Sequence, residues 1–289
     1  MSAEAKLTAV LRPRADAPVS AGARSIASSL PWRRIGRAGE GALPWLLPFA
    51  LLALWFTGAE QGWISPQVLP PPQFVWGTLR DLATSGDLWL HVSTSFTRVG
   101  VGFAAGTLLG LVLGSAMGLS RRFEAYVLPT FNALVQIPVL AWLPFVLLIV
   151  GIGEPLKYIL IAKAALVPVA LNTLQGFRQT PSALREVGEV YGYTRRQQVL
   201  EIVLPHAVPT LFTGVRLGFT KAWLSLVVVE LVASSEGLGY LIVYGRQLFQ
   251  LDLVMAAVIV VGAIGYAIDR LLDRLETAVH QRQPGGAAR

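Results

Sequence analysis

The run VGVGFAAGTLLGLVLGSAMGL, residues 99–119, decides how the rest of the chain is read. It carries no charge, and at 1.5 Å of rise per residue a helix of this length spans about 30 Å, the thickness of bilayer hydrocarbon. Gly102, Gly106, Gly110, Gly114 and Gly118 recur in it at every fourth position. Glycine inside a helix costs about 1 kcal/mol relative to alanine, so a repeated series needs a packing reason. Residues four apart form one ridge, and a ridge without side chains lets a second helix approach to backbone contact. The run predicts a membrane-spanning helix with a close crossing. A smooth face that slides between conformations is the alternative use of the same stripe, and the crossing partner is a helix of this chain or of a second copy.

The composition around this run agrees with a bilayer solvent. Hydrophobic residues make up 54% of the 289 and charged residues 14%, against about a quarter charged in a soluble domain. The net charge of +7 is dispersed through short loops and tails and forms no aromatic-flanked basic face, so a membrane surface accounts for it better than nucleic acid. There is no cysteine, and His91, His206 and His280 lie far apart, which excludes disulfide, thiol and zinc-spaced chemistry. No G-x-x-x-x-G-K-[ST] run is present to cradle a nucleotide phosphate, and no nucleophile elbow or carboxylate pair points to an enzyme.

Apolar runs predict an all-α bundle of six spans: Ala42 to Thr57, Val99 to Leu119, Val127 to Val150, Tyr158 to Gln175, Pro209 to Val232 and Leu253 to Leu272. Residues 1–41 read as a basic, disordered tail, 42–275 as the membrane domain and 276–289 as a second tail. Arg33-Arg34 ahead of the first run invites a twin-arginine export reading, but no small-residue cleavage site follows, which favours an uncleaved span. Counting Lys and Arg with the N-terminus inside puts seventeen on the inner side and three on the outer, so both termini are expected on the cytoplasmic side. In the outer loop from Gly58 to Arg98, Phe74, Val75, Leu79 and Leu82 recur at helical spacing and predict an amphipathic helix along the outer surface.

The inner loop 176–208 carries REVGEVYGYTRRQQVLEIVLP at residues 185–205. Leu184, Val187 and Tyr191 give a short helix one apolar stripe, and Gly192 can take the backbone angle that ends it. A second helix, Arg195 to Val203, is expected to stop before Pro205. Such a helix-turn-helix offers an apolar ridge rimmed by charge to a groove on another protein, or lies on lipid headgroups.

This text resembles the "EAA" signature of ATP-binding-cassette importer permeases, in which Glu-Ala-Ala, a glycine and a terminal Ile-x-Leu-Pro mark the element that docks into the ATPase. Glu186, Gly192, Ile202, Leu204 and Pro205 match, and Val187 and Gly188 stand where the signature has two alanines. Leu69-Pro70-Pro71-Pro72, Ser85-Gly86-Asp87-Leu88-Trp89, Gly118-Leu119-Ser120, Leu140-Ala141-Trp142-Leu143-Pro144, Gly151-Ile152-Gly153-Glu154 and Gly237-Leu238-Gly239-Tyr240 look like the permeases of the taurine, alkanesulfonate, nitrate and bicarbonate group. The resemblance, from about Leu43 to Leu275, implies a type I importer of a bacterial inner membrane: two permease copies, two cytoplasmic ATPases and an extracytoplasmic solute-binding protein. It implies that Glu186, Val187, Gly188, Tyr191, Gly192, Arg195, Ile202, Leu204 and Pro205 couple to the ATPase. No cofactor is expected on this chain itself, since ATP and magnesium would act on the ATPase. An organosulfonate is the substrate the resemblance favours, with nitrate, bicarbonate or a vitamin precursor as alternatives. An ion-coupled secondary transporter is the reading from another class.

Charges within a span cost about 2.5 to 3.5 kcal/mol each on insertion scales, so they face protein or water. Arg216, Trp223 and Glu230 are spaced by seven and share one helix face, with Lys221 pointing elsewhere. A pathway for an anion would use Arg216 as transient counter-charge and Glu230 as the partner that holds it; the bland alternative is that each snorkels to headgroups. Asn132 and Gln136, and Lys163 with Asn172, are weaker candidates, because single polar groups in bundles more often join helices.

Overall fold

In the computed structural model the glycine-bearing run is the second half of a 33-residue helix, Asp87–Leu119. The structure describes residues 43–63, 65, 66 and 68–281, so the basic tail expected over residues 1–41 lies outside the described residues. All regular structure among those residues is helical: α1 Leu43–Glu60, α2 Pro72–Ser85, α3 Asp87–Leu119, α4 Arg121–Val135, α5 Leu143–Val150, α6 Glu154–Arg178, α7 Ser182–Val190, α8 Arg195–Gln197, α9 Leu204–Ala233, α10 Leu238–Gln247 and α11 Leu251–Gln281.

Helix α6 is the centre of the bundle. Leu156, Leu160, Ile161, Ala165, Val169 and Ala170 on it are buried on two sides, by α3 and by α9. The α3 stripe lies directly on it. A Cβ added at Gly106 would sit 2.2 Å from the Ala162 carbonyl oxygen, one at Gly114 2.5 Å from that of Ala170, and one at Gly102 2.7 Å from Ile161 Cβ. The crossing partner of the stripe is therefore a helix of the same chain. On the adjacent face of α6, α9 repeats the device with Gly214 and Gly218, whose added Cβ atoms would meet Asn172 Cβ at 2.6 Å and Val169 Cγ2 at 2.8 Å. Two backbones thus close on a third, which dispersion favours because lipid chains compete for apolar surface but not for that fit.

By length and hydropathy four helical stretches suffice to cross a bilayer singly: α3, α6, the stretch that contains α9, and α11. The stretch read as one span from Val127 to Val150 is instead a bent pair, with α4 and the segment Val139–Val150 meeting at 96°. The cause is local. Pro138 sits at φ −53° and ψ 145°, an extended conformation, and a short 3₁₀ turn, Val139–Trp142, leads into α5 with Pro144 in its first turn. The residue before a proline is biased away from helix, so apolar character on both sides of Pro138 conceals a change of direction. Helix α1 is a shorter apolar helix.

Two other boundaries differ from the sequence reading. Helix α3 begins at Asp87, inside the segment read as an outer loop, because Ser95 and Arg98 there are buried with partners rather than solvated. Helix α11 continues to Gln281, past the expected tail boundary at residue 276. The amphipathic helix is α2; its Val75 is buried, Leu82 packs with Leu241 and Leu253, and Thr78 donates a hydrogen bond to Asp252 at the start of α11.

If backbone contact fixes the bundle, Gly106→Ala must push on a carbonyl that cannot rotate away, at about 1–3 kcal/mol. Thermal unfolding of the purified protein in detergent should show that loss. Gly100→Ala, on the opposite face with nothing within 4 Å of the new methyl, should be neutral or mildly stabilising.

Candidate functional site

Four arrangements hold most of the residues singled out in the sequence: a helical hairpin, a buried ionic cluster, a row of carboxylates around Arg216 and an intramembrane cleft. The hairpin is built on α7. Gly192 adopts φ +72°, a left-handed conformation. Its N–H donates to Glu189 O and the Tyr193 N–H donates to Gly188 O, both at 2.9 Å, the paired bonds of a Schellman cap. Thr194 then opens the next helix with a reciprocal capping box to Gln197. Gly188 is buried against the second arm, where an added Cβ would approach Ile202 Cδ1 to 2.6 Å. These two glycines act differently: one sets a backbone angle, the other removes a side chain.

The outer face of the hairpin is apolar and uncovered. Leu184, Val187, Val190 and Tyr191 are all exposed, Val190 at 86%, with Glu186 and Arg195 beside them. A shallow cleft of about 390 Å³ runs between Leu184, Val187, Tyr191 and Ile202. The hairpin is fastened to the bundle by Arg185, whose Nη2 donates to Phe177 O at 2.8 Å, and by the Phe177, Val203 and Ala207 cluster.

The second arm does not stop before Pro205. It passes through a π-helical segment, Gln198–Val203, and runs on as α9. The Leu204 N–H donates to Val199 O, five residues back. This wide turn makes room for the ring of Pro205, which has no N–H to offer and occupies the first turn of α9. Leu204 and Pro205 thus join the hairpin to a span instead of separating them.

Glu230 lies at the other end of the bundle and is 1% exposed. It does not hold Arg216: fourteen residues along a helix are about 21 Å. Its partner is Arg98, also buried, whose Nη1 donates to Glu230 Oε1 at 2.9 Å. Ser95 Oγ donates to the same carboxylate at 2.8 Å and the Gly239 N–H at 2.9 Å. Arg98 also grips Glu154 bidentately, at 2.8 Å from Nε and 2.7 Å from Nη2, and donates to Glu236 O at 2.6 Å. Lys157 completes the set at 2.7 Å from Glu154. Two cations meet two anions and every strong acceptor is used, which makes burial tolerable. The cluster ties α3, α6 and α9 to the turn before α10, where Gly237 stands so close that an added Cβ would be 2.3 Å from Glu230 Oε1.

Arg216 is held by α11 instead. Its guanidinium donates to Asp269 at 3.2 Å, Asp273 at 2.6 Å and Glu276 at 2.7 Å, carboxylates spaced to share one helix face. Trp223, on the same face of α9, is buried and stacks on Phe219 against the α11 glycine Gly265. Asn132 and Gln136 are exposed on and just after α4, outside the cleft.

The cleft, about 670 Å³, lies between α6, α9 and the break at Pro138. Lys163, Asn172, Lys221 and Ser225 are its polar lining amid Leu140, Val167, Leu224 and Val228. Lys163 Nζ donates to Ile137 O at 3.3 Å and lies 5.0 Å from the Trp142 ring centroid, while Asn172 is turned to Pro168 O. Lys221, set aside in the sequence because it leaves the Arg216 face, belongs here. The signal that could have found it is the pair of intramembrane lysines itself, at matching depth in two adjacent spans.

Arg98→Met leaves the Glu230 carboxylate buried without its cation, at about 3–5 kcal/mol. Unfolding in detergent should register that loss, and the double variant Arg98→Met/Glu230→Gln should recover a large part of it.

Comparison with known proteins gives the same architecture. Residues 106–282 match the family described as binding-protein-dependent transport system inner membrane component. A Bacillus subtilis (strain 168) protein named as the aliphatic sulfonates transport permease protein SsuC is 39% identical over 232 residues, covering 79% of this chain and 84% of that protein. The taurine transport system permease protein TauC of Escherichia coli (strain K12) is 34% identical over 238 residues, 80% of this chain and 86% of that one. The nitrate import permease protein NrtB of Synechocystis is 34% identical over 196 residues, 68% and 71%. Among solved structures, an inward-facing form of the MetNI methionine ABC transporter shares the fold at a TM-score of 0.58 and 22% identity, covering 66% of this chain and 96% of that one. With most of its membrane region matched in sequence and fold, the chain belongs to the binding-protein-dependent transport system inner membrane components, the permeases of ATP-binding-cassette importers.

Proposed function

We propose that this chain lines the translocation pathway of an ATP-driven importer for small aliphatic sulfonates, taurine among them. It works as two copies with two ATPase subunits and an extracytoplasmic binding protein, and both of its termini are cytoplasmic. The observation that carries the coupling role is the Schellman-capped hairpin with its uncovered ridge of Leu184, Val187, Val190 and Tyr191. An apolar ridge of this size on a charged stem is suited to a groove in a soluble partner. The sulfonate assignment is supported by the names of SsuC and TauC. Nitrate or bicarbonate is the second reading, favoured by NrtB and by the bicarbonate permease CmpB of Synechococcus elongatus, 32% identical over 192 residues. Uptake of labelled taurine, a linear alkanesulfonate and nitrate by cells with the whole importer, with and without this chain, separates the two.

ATP binding at a separate subunit supplies the work, and the chain converts it to motion of packed helices. The hairpin receives that motion because it is continuous with α9 and fastened to α6. Gly192→Val places a β-branched residue at φ +72° and opens the cap. ATPase co-purifying with the permease should fall at least severalfold, whereas Gly77→Ala, in open space on α2, should leave it unchanged. The chain contains no cysteine, so Arg195→Cys can be probed without other changes. A membrane-impermeant maleimide should label it only after the inner membrane is opened. Labelling in intact spheroplasts would exclude a cytoplasmic ATPase as the hairpin's partner.

A further inference from the structure

We propose that Lys163 and Lys221 form a transient anion site within the cleft, one that takes the sulfonate head group of the solute midway through the bilayer. The inference rests on the reading of the chain as an anion importer and names the groups that meet the anion. It stands on three independent features of the cleft.

Depth is the first. Lys163 lies nine residues into α6 from Glu154, and Lys221 twelve residues before the end of α9 at Ala233, on the same side of the bundle. At 1.5 Å per residue both ammonium-bearing turns stand roughly 14 to 18 Å below that end, near the middle of the hydrocarbon. A cation at this depth is retained for a use.

Charge balance is the second. The other intramembrane cations are matched: Arg98 and Lys157 with Glu154 and Glu230, and Arg216 with three carboxylates of α11. Among the described residues neither Lys163 nor Lys221 has a carboxylate within 4 Å. Lys163 is held by one carbonyl and the face of Trp142, which leaves ammonium N–H groups for another acceptor. The sequence had the carboxylates to pair these lysines and placed them elsewhere.

The third is the backbone. The wall facing Lys163 is the break at Ile137 and Pro138, where the Ile137 carbonyl accepts from Lys163 Nζ. Irregular backbone at membrane depth occurs where it is buried in protein or lines a watered cavity. A cleft of about 670 Å³ falls in the usual range of small-molecule sites, mostly apolar with a few placed polar groups. A short alkanesulfonate has this character: three acceptor oxygens for two ammonium groups, and an alkyl chain for Leu140, Leu224 and Val228. With two cations, an uneven grip and one open side, the site binds loosely enough to release.

The test is uptake of a labelled linear alkanesulfonate by the complete importer reconstituted in vesicles with its ATPase subunits and binding protein. Lys163→Gln and Lys221→Gln should each lower uptake by roughly tenfold, the loss of one charge-assisted contact. Lys163→Arg and Lys221→Arg, which keep the charge, should restore at least half of it. Each variant is first shown to assemble by its retained ATPase. Wild-type uptake in both glutamine variants would overturn the site while leaving the importer assignment standing. If the wild-type complex instead takes up nitrate or bicarbonate, the sulfonate assignment falls, and loss of that uptake in the glutamine variants upholds the site. Import confined to solutes with no anionic group overturns both.

Discussion

The contact on which everything else rests is backbone against backbone. Glycines of α3 and α9 press on adjacent faces of α6 so closely that an added methyl at most of these positions would overlap a carbonyl or a Cβ. In water such surfaces could be held by hydrophobic burial of larger side chains. In a bilayer that force is spent once the helices are inserted, and what remains is fit. The glycines supply fit over the full depth of the membrane. They also make α6 the reference frame for the other spans, since it carries Glu154 at one end, Lys163 in the middle and the anchor for the hairpin at the other.

Charge is distributed on that frame in two distinct ways. At the end away from the hairpin, Arg98, Glu154, Lys157 and Glu230 neutralise one another and pin three helices to the Gly237 turn. Near the hairpin, Arg216 ties α9 to α11 through a row of acidic residues. Both arrangements oppose relative sliding, since a displacement of a few ångströms separates matched charges, and at the Arg98 cluster it strips a buried charge of its partner. Between them the cleft holds cations that serve no such structural pairing. The ends are fixed by ion pairs and the middle carries cations without carboxylates, a division suited to the anionic solute proposed for this importer.

The sequence disclosed the parts whose signal is local. Long apolar runs announced α3, α6, α9 and α11, and the four-residue glycine period announced a close crossing although not its partner. The hairpin was legible because Gly192 and the Leu184, Val187 and Tyr191 spacing are short-range features. The broken span was not, since hydropathy averages over Pro138 without seeing that the chain changes direction by 96°. Pairing across the bundle was equally hidden: Arg98 and Glu230 are 132 positions apart, and a helical wheel of α9 alone matched Glu230 with Arg216. A partial signal did exist. Two of the short segments that carried the family resemblance, Gly151 to Glu154 and Gly237 to Tyr240, hold the carboxylate that grips Arg98 and the N–H that caps Glu230. Both segments converge on the Arg98–Glu230 pair although they lie far apart in the chain.

The unbroken passage from the hairpin into α9 has a mechanical consequence. From Arg195 to Ala233 the chain is helical throughout, about 58 Å of rod. A lever of that length turns a 5° rotation at the hairpin into a sweep of about 5 Å at its far tip. Lys221 lies roughly two thirds of the way along, so its ammonium would swing through about 3 Å, enough to break a hydrogen bond. The stroke that tilts the rod is thus also able to loosen whatever its lysine is gripping.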